Sequence, residues 1–272
     1  MSKSIGNTNN KSSCVVNYGM YTPEFILSAA LDIGENILRC GGESHRVEDT
    51  INRICSAYGA ECVDVFALPS LVIASMRTQD GKSVSEVRRV YKTSNNMYKL
   101  DAVNKLSRDV CCGVVSIDEV KSKIDAILKG KPFPKYLTIL GGVIGAGAFA
   151  VFFGGNLLDG VAAAVAGLIV SIMNLHKVNL KNKMLYSVAE SFVGAMVGLI
   201  LVKYGIGSNI DMVMIGTIML LIPGLAFGNA VRDLLFGDTV SGIIQVVQAI
   251  LTAVTVAFGF ALAILLWGGV FN

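Results

Sequence analysis

Charge is scarce in this sequence: 16% of its 272 residues are Asp, Glu, Lys or Arg, against 53% hydrophobic residues and a mean hydropathy of +0.60. That balance excludes a fully soluble globular protein of ordinary composition and leaves an integral membrane protein. The net charge of +3 is small and dispersed, so no nucleic-acid partner is expected. No GxxxxGK(S/T) loop occurs, which argues against ATP coupling within the chain. Cys-x-x-Cys pairs are missing and there are only two histidines. No cofactor and no metal are therefore expected, a zinc site at Cys40 and His45 having too few donors in view. The opening MSKSIGNTNNKSS lacks an apolar core, so no cleaved signal peptide is expected and the first domain is placed in the cytoplasm. In that reducing compartment Cys14, Cys40, Cys55, Cys62, Cys111 and Cys112 read as free thiols.

What charge there is lies at one end. Of the 23 basic and 20 acidic residues, 18 and 15 precede Tyr136, and the composition changes at KGKPFPKY, residues 129–136. The expected fold class is an α+β cytoplasmic domain followed by an all-α polytopic membrane domain of about five transmembrane helices. The expected boundaries are a disordered tail over 1–20, the cytoplasmic domain over 21–131 and the membrane domain over 132–272.

In the first half, Thr22-Pro23-Glu24 opens a helix that carries Phe25, Ile26, Ala29, Ile33 and Ile37 inward and stops at Gly41-Gly42. A second helix starts at Ser44, with Val47, Ile51, Ile54 and Tyr58 at helical spacing, and ends at Gly59. CVDVFAL, LVIASMR and KSVSEVRRV read as three antiparallel strands, the last two joined at Asp80-Gly81. A helix around Leu100, Val103, Leu106 and Val110 follows. Another begins at the capping box Ser116-Ile117-Asp118-Glu119.

Five spans fit the second half, at about 136–153, 157–175, 184–202, 209–231 and 241–267. Lys177, Lys181 and Lys183 between the second and third put that connection in the cytoplasm and the C-terminus outside. Gly167, Ser171 and Asn174, then Ser187, Ser191, Gly194 and Gly198, form small-residue seams. Ser241, Gln245, Gln248, Thr252, Thr255 and Gly259 make a polar seam in the last span, readable as a pathway lining or as helix packing. Glu190 lies about 10 Å into the third span, costly unless paired, protonated or wet.

The stretch Leu220–Asp238, LLIPGLAFGNAVRDLLFGD, organises the rest. Pro223 breaks a helix and Gly224 makes unwinding cheap. Gly224, Gly228 and Arg232 follow at i, i+4 and i+8, with Asn229 one turn before Arg232 and Asp233. Exposed backbone, an arginine and an asparagine suit a small carboxylate. The plainer alternative is a proline kink followed by an Arg232–Asp233 pair in the headgroups. Glu43, Arg46 and Glu48 cluster at the start of the second helix, where capping and surface ion pairs explain them better than a functional site does.

Two of these stretches, GGESHRVEDTINRICSAYG and IPGLAFGNAVRDLLFGDTVSG, resemble the bacterial threonine/serine exporter family. The first matches at Gly42, Glu43, Ser44, Arg46, Val47, Glu48 and Gly59; the second at its Pro-Gly, Asn, Arg-Asp and Gly-Asp positions. Single-chain members carry a longer membrane part, so the resemblance implies the larger subunit of a split, two-component exporter. It also implies a small integral membrane partner, or else a homo-oligomer. The expected function is secondary export of a threonine/serine-like amino acid or an organic acid such as a dicarboxylate. Substrate binding falls to Pro223, Gly224, Gly228, Asn229, Arg232 and Asp233. The coupling and pathway set is Glu190, Ser191, Asn174, Asp238, Gln245, Gln248 and Thr252, with Glu190 or Asp233 as proton carriers. A membrane-anchored enzyme using Cys40 as nucleophile and His45 as base, and a non-transporting scaffold or sensor, are the alternatives.

Overall fold

The computed structural model describes residues 20–91, 93–130, 134–177 and 182–271. The tail before residue 20 and most of the lysine-bearing connection, residues 178–181, lie outside them, as does Pro132. The described chain is mostly helical, with one small sheet near its beginning. It divides into two compact units. One is the part before Lys131 together with Asn229–Ile243; the other is Lys131–Gly228 together with Ile244–Asn272. Sequence alone puts 229–243 with the membrane half.

In the first unit α1 (Pro23–Arg39) is capped by the Thr22 hydroxyl, which accepts the Phe25 N–H at 3.4 Å. It ends where Gly41 takes φ +89°, and α2 (Ser44–Ala57) ends ahead of Gly59 at φ +84°. A Cβ on Gly34 of α1 would lie 2.7 Å from Ile51 Cδ1, which shows how closely the two helices cross. The strands β1 (Ala60–Leu68), β2 (Leu71–Thr78) and β3 (Ser83–Arg89) form an antiparallel sheet in that order. Alternation along β2 turns Val72, Ala74 and Met76 into the core beside Leu27, Leu31, Ile37, Val47 and Ile54. α3 (Met97–Cys111) adds Val103, Leu106 and Val110. Cys55 lies inside this core, where burial pushes its thiol up to about 12. Iodoacetamide at pH 7.5 is therefore expected to modify exposed Cys62 and Cys112 at least tenfold faster than Cys55, as peptide mass spectrometry of the folded protein would show.

Two local expectations fail here. Phe25 is 43% exposed and stacks on Tyr21 at 5.7 Å, because its place in the first turn points it off the apolar stripe. Ser116 caps no helix: one 3-10 turn, Ile117–Glu119, precedes α4 (Val120–Lys129). The Ser116 hydroxyl bonds the Asp118 carboxylate and meets the Tyr21 hydroxyl at 2.8 Å. Those hydroxyls hold the Asp118 carboxyl below its usual range.

Among the described residues four helices are long and apolar enough to cross a membrane: α5 (Lys135–Phe152), α6 (Leu157–Lys177), α7 (Lys183–Lys203) and, after two shorter helices, α10 (Thr239–Phe271). The expected span 209–231 is not one helix. It is divided into α8 (Ile210–Ile218) and α9 (Gly224–Phe236). At 1.5 Å per residue these reach about 14 and 20 Å, short of the roughly 30 Å of hydrocarbon. Proline is the cause: beyond Ile218 the ladder tightens to i→i−3 bonds, Leu220 N–H to Thr217 at 3.3 Å and Leu221 N–H to Ile218 at 2.9 Å. It resumes with Phe227 N–H on the Pro223 carbonyl at 3.0 Å.

Within the second unit the small-residue seams are crossing points. An added Cβ would lie 2.0 Å from Ser171 Oγ at Gly142, 2.5 Å from the Ala146 carbonyl at Gly216 and 2.8 Å from Val170 at Gly194. Asp159, treated by composition as one charge among five, ties loops together. It is 1% exposed and accepts the backbone N–H groups of Asn156, Ser208 and Asn209 at 2.9, 2.7 and 2.9 Å. Asp159→Ala strands those donors, and a loss of about 3 kcal/mol is expected, read as an earlier thermal transition in detergent.

Candidate functional site

Three elements of the first unit bring the sequence motifs together: the start of α2, the second half of α9, and the turn into α10. Gly237, at φ +97°, makes that turn. Its N–H bonds the Leu234 carbonyl at 3.3 Å while the Asp238 N–H reaches back to Asp233 at 2.9 Å, the paired bonds of a Schellman end. The Asp238 carbonyl then accepts the Gly242 N–H at 2.9 Å, so Asp238 stands at the head of α10 with its carboxylate free to turn toward α2.

The contacts run in register. The Asn229 amide donates to the Gly41 carbonyl at 3.1 Å, and one turn on the Arg232 guanidinium pairs with the Glu43 carboxylate. Asp233, fully buried, accepts the Ser241 hydroxyl at 3.1 Å, and Ser241 meets Ser44 Oγ at 2.6 Å. His45 lies flat on Phe236, ring centroids 4.6 Å apart, with Nδ1 3.3 Å from Asp238 Oδ2. Glu48 accepts the Ala67 N–H at 2.8 Å. Burial raises the pKa of its carboxyl, and Asp238 and Asp233 add to that; the Ala67 N–H and His45 oppose it.

Arg232 therefore pairs with Glu43, from the far end of the sequence. Glu43 occupies the cap position of α2 without capping it. Arg46 is exposed at the rim of a cleft of about 670 Å³, lined also by Arg53, Arg108 and Arg232. Burial raises the Cys40 thiol, the reverse of what a nucleophile needs.

The other proposed residues belong to the second unit. Pro223 and Gly224 sit at the break; Gly224 and Gly228 are exposed, with open space where a Cβ would be. Eight residues of helix separate Gly224 from Arg232 by about 12 Å, so the amides opening α9 and the guanidinium are not at one level. Glu190 and Ser191 are buried in α7, the Ser191 hydroxyl donating to the Ser187 carbonyl at 2.8 Å. Asn174 and Gln248 are exposed, while Gln245 and Thr252 are half-buried. The polar seam of α10 is thus not evenly turned inward: Ser241 and Gly259 at its two ends are buried, and the seam residues between them are exposed or half-buried.

Sequence reasoning missed the pairing of Ser44 with Ser241 and the meeting of His45, Glu48 and Asp238. Only the i, i+3 spacing of His45 and Glu48 signals half of the latter.

Comparison with known proteins agrees with the motifs. The family model ThrE, described as "Putative threonine/serine exporter", matches residues 28–267. A "Probable threonine/serine exporter" of Mycobacterium tuberculosis is 25% identical over 142 residues, 52% of this chain and 27% of that protein. "Pheromone-regulated membrane protein 10" of Kluyveromyces lactis is 25% identical over 246 residues, 85% of this chain and 25% of that protein. The chain thus spans about a quarter of the length of these two relatives. It covers 90% of the "Probable succinate transporter subunit YjjP" of Klebsiella aerogenes, at 21% identity over 235 residues and 85% of this chain. No solved structure matches. With both motifs and nearly the whole length accounted for, this integral membrane protein belongs to the threonine/serine exporter family.

Proposed function

We propose that the chain is one subunit of a secondary transporter that exports a small carboxylate, either a threonine/serine-like amino acid or a dicarboxylate such as succinate. Its partner in this reading is a small integral membrane protein, with a homo-oligomer as the alternative assembly. The first unit lies in the cytoplasm of a bacterial inner membrane, five crossings follow, with α8 and α9 sharing one, and the C-terminus is outside.

One observation supports the choice of anchor. Arg232 is half-exposed and its guanidinium is held by a carboxylate, that of Glu43. A substrate carboxylate offers the same two oxygens, so it can take Glu43's place at little net cost, because one charge-assisted pair is exchanged for another. Asn229 positions this end of α9 through Gly41. Buried Glu190 or Asp233 carries the coupling proton, and Ser191, Asn174, Gln245, Gln248 and Thr252 belong to the pathway.

Reconstitution tests the assembly. Liposomes holding this chain together with the small subunit should export labelled succinate, threonine or serine down an imposed proton gradient, and either subunit alone should not. Full flux from this chain alone overturns the two-component reading. Orientation is read with an impermeant maleimide on intact cells: Tyr204→Cys, at an 80% exposed position after α7, should label from outside. Native Cys62 and Cys112 should label only after permeabilisation. The reverse pattern inverts the topology.

A further inference from the structure

We propose that His45, Glu48 and Asp238 form a binding site for a divalent transition-metal cation, of the kind taken by mixed imidazole and carboxylate donors. One imidazole nitrogen and two carboxylate oxygens lie within 4.8 Å of one another. Donors about 2.1 Å from a shared ion stand roughly 3–4 Å apart, so closing the set needs only small side-chain rotations. The 3.3 Å between His45 Nδ1 and Asp238 Oδ2 is already the length of such an edge. It is not made by a hydrogen bond: Asp238 Oδ2 is buried and has no hydrogen-bond partner among the described residues.

Each donor is held by something behind it. The His45 ring is fixed by the face of Phe236. One Glu48 oxygen is occupied by the Ala67 N–H, which orients the other. Asp238 is placed by the Gly237 turn. His45 and Glu48, three apart on α2, share a helix face. Two carboxylates, Glu48 and Asp238, flank a single imidazole, and Asp233 lies near enough to Glu48 to add to its negative surroundings. A bound dication balances that crowding of like charge. With one nitrogen and two oxygens the set suits Mn(II), Fe(II) or Zn(II) and disfavours soft, thiolate-seeking ions. The ion would join α2 to the α9–α10 turn as a clamp.

Mn(II) is the probe, because its hard character keeps it off the exposed thiols of Cys62 and Cys112. The full-length protein in detergent micelles, stripped with EDTA and desalted, is titrated while the electron paramagnetic resonance of free Mn(II) is followed. One site per chain is expected. Glu48→Gln and Asp238→Asn should each weaken it at least tenfold, and Asp211→Asn, on α8, should leave it unchanged. Electron spin-echo modulation from a coordinated imidazole nitrogen is expected in the unmodified protein and must be lost in His45→Gln. That signal depends on no variant's folding. A wild-type protein that binds no Mn(II), binds it without nitrogen coupling, or binds it equally well as Glu48→Gln and Asp238→Asn overturns the site. Flux plays no part in these readouts, so the metal site and the transport reading stand or fall separately.

Discussion

Arg232→Lys is expected to lower reconstituted flux at least tenfold while the protein still inserts and purifies normally. Lysine keeps the charge but presents a point where the guanidinium presents a planar fork, and a carboxylate anchor needs the fork. Glu43→Gln should act in the opposite sense on affinity. Without its internal carboxylate the guanidinium is open to substrate, and the apparent KM should fall several-fold. Together the two variants separate an anchor from a surface pair. An exposed ion pair contributes only about 0–1 kcal/mol, so a merely structural Arg232–Glu43 contact would leave both variants near wild-type flux and KM. That outcome removes Arg232 from the site.

Gly259→Val should prevent the second unit from folding. A Cβ there would stand 2.0 Å from Ser191 Oγ and 2.5 Å from the Val188 carbonyl, and the obstruction is partly backbone, which cannot step aside. Overpacking of this kind costs about 1–3 kcal/mol in forgiving cores and more where main chain is struck. The expected reading is loss of the monodisperse peak in size-exclusion chromatography. Gly228→Ala is the informative contrast. Open space surrounds it, so alanine should raise helix stability by about 1 kcal/mol. If flux drops while the thermal transition rises, the bare backbone of α9 serves the substrate; unchanged flux takes Gly228 out of the site.

What could be read in the sequence was what is local. Thr22-Pro23, the Asp80-Gly81 turn and the stop at Gly59 carry their physical reasons within a few residues, and all appear as expected. Pro223 breaks its helix for the same reason, although the consequence was underestimated: two helices each too short to cross replace one expected span. Phe25 failed because its place in the first turn sets it off the apolar stripe and onto Tyr21, and Ser116 because the Asp118 carboxylate and the Tyr21 hydroxyl engage its side chain. The candidate site was legible as two lists of residues and illegible as one object. Glu43 and Arg232 are 189 positions apart, and periodicity says nothing about which helix end meets which turn. Asp159 was missed for a related cause, since two of its three backbone partners, Ser208 and Asn209, stand 49 and 50 positions away.

The first unit is written in the gene as two separated pieces, with all of Lys131–Gly228 between them. During synthesis the ribosome has released the sheet and α1–α4 long before Asn229–Ile243 exists. Ser44, Glu43 and His45 must wait, uncovered, while α5 to α8 are made. Only then can Asp233 and Ser241 arrive to complete the unit. Completion of the first unit thus waits on synthesis of every helix of the intervening Lys131–Gly228.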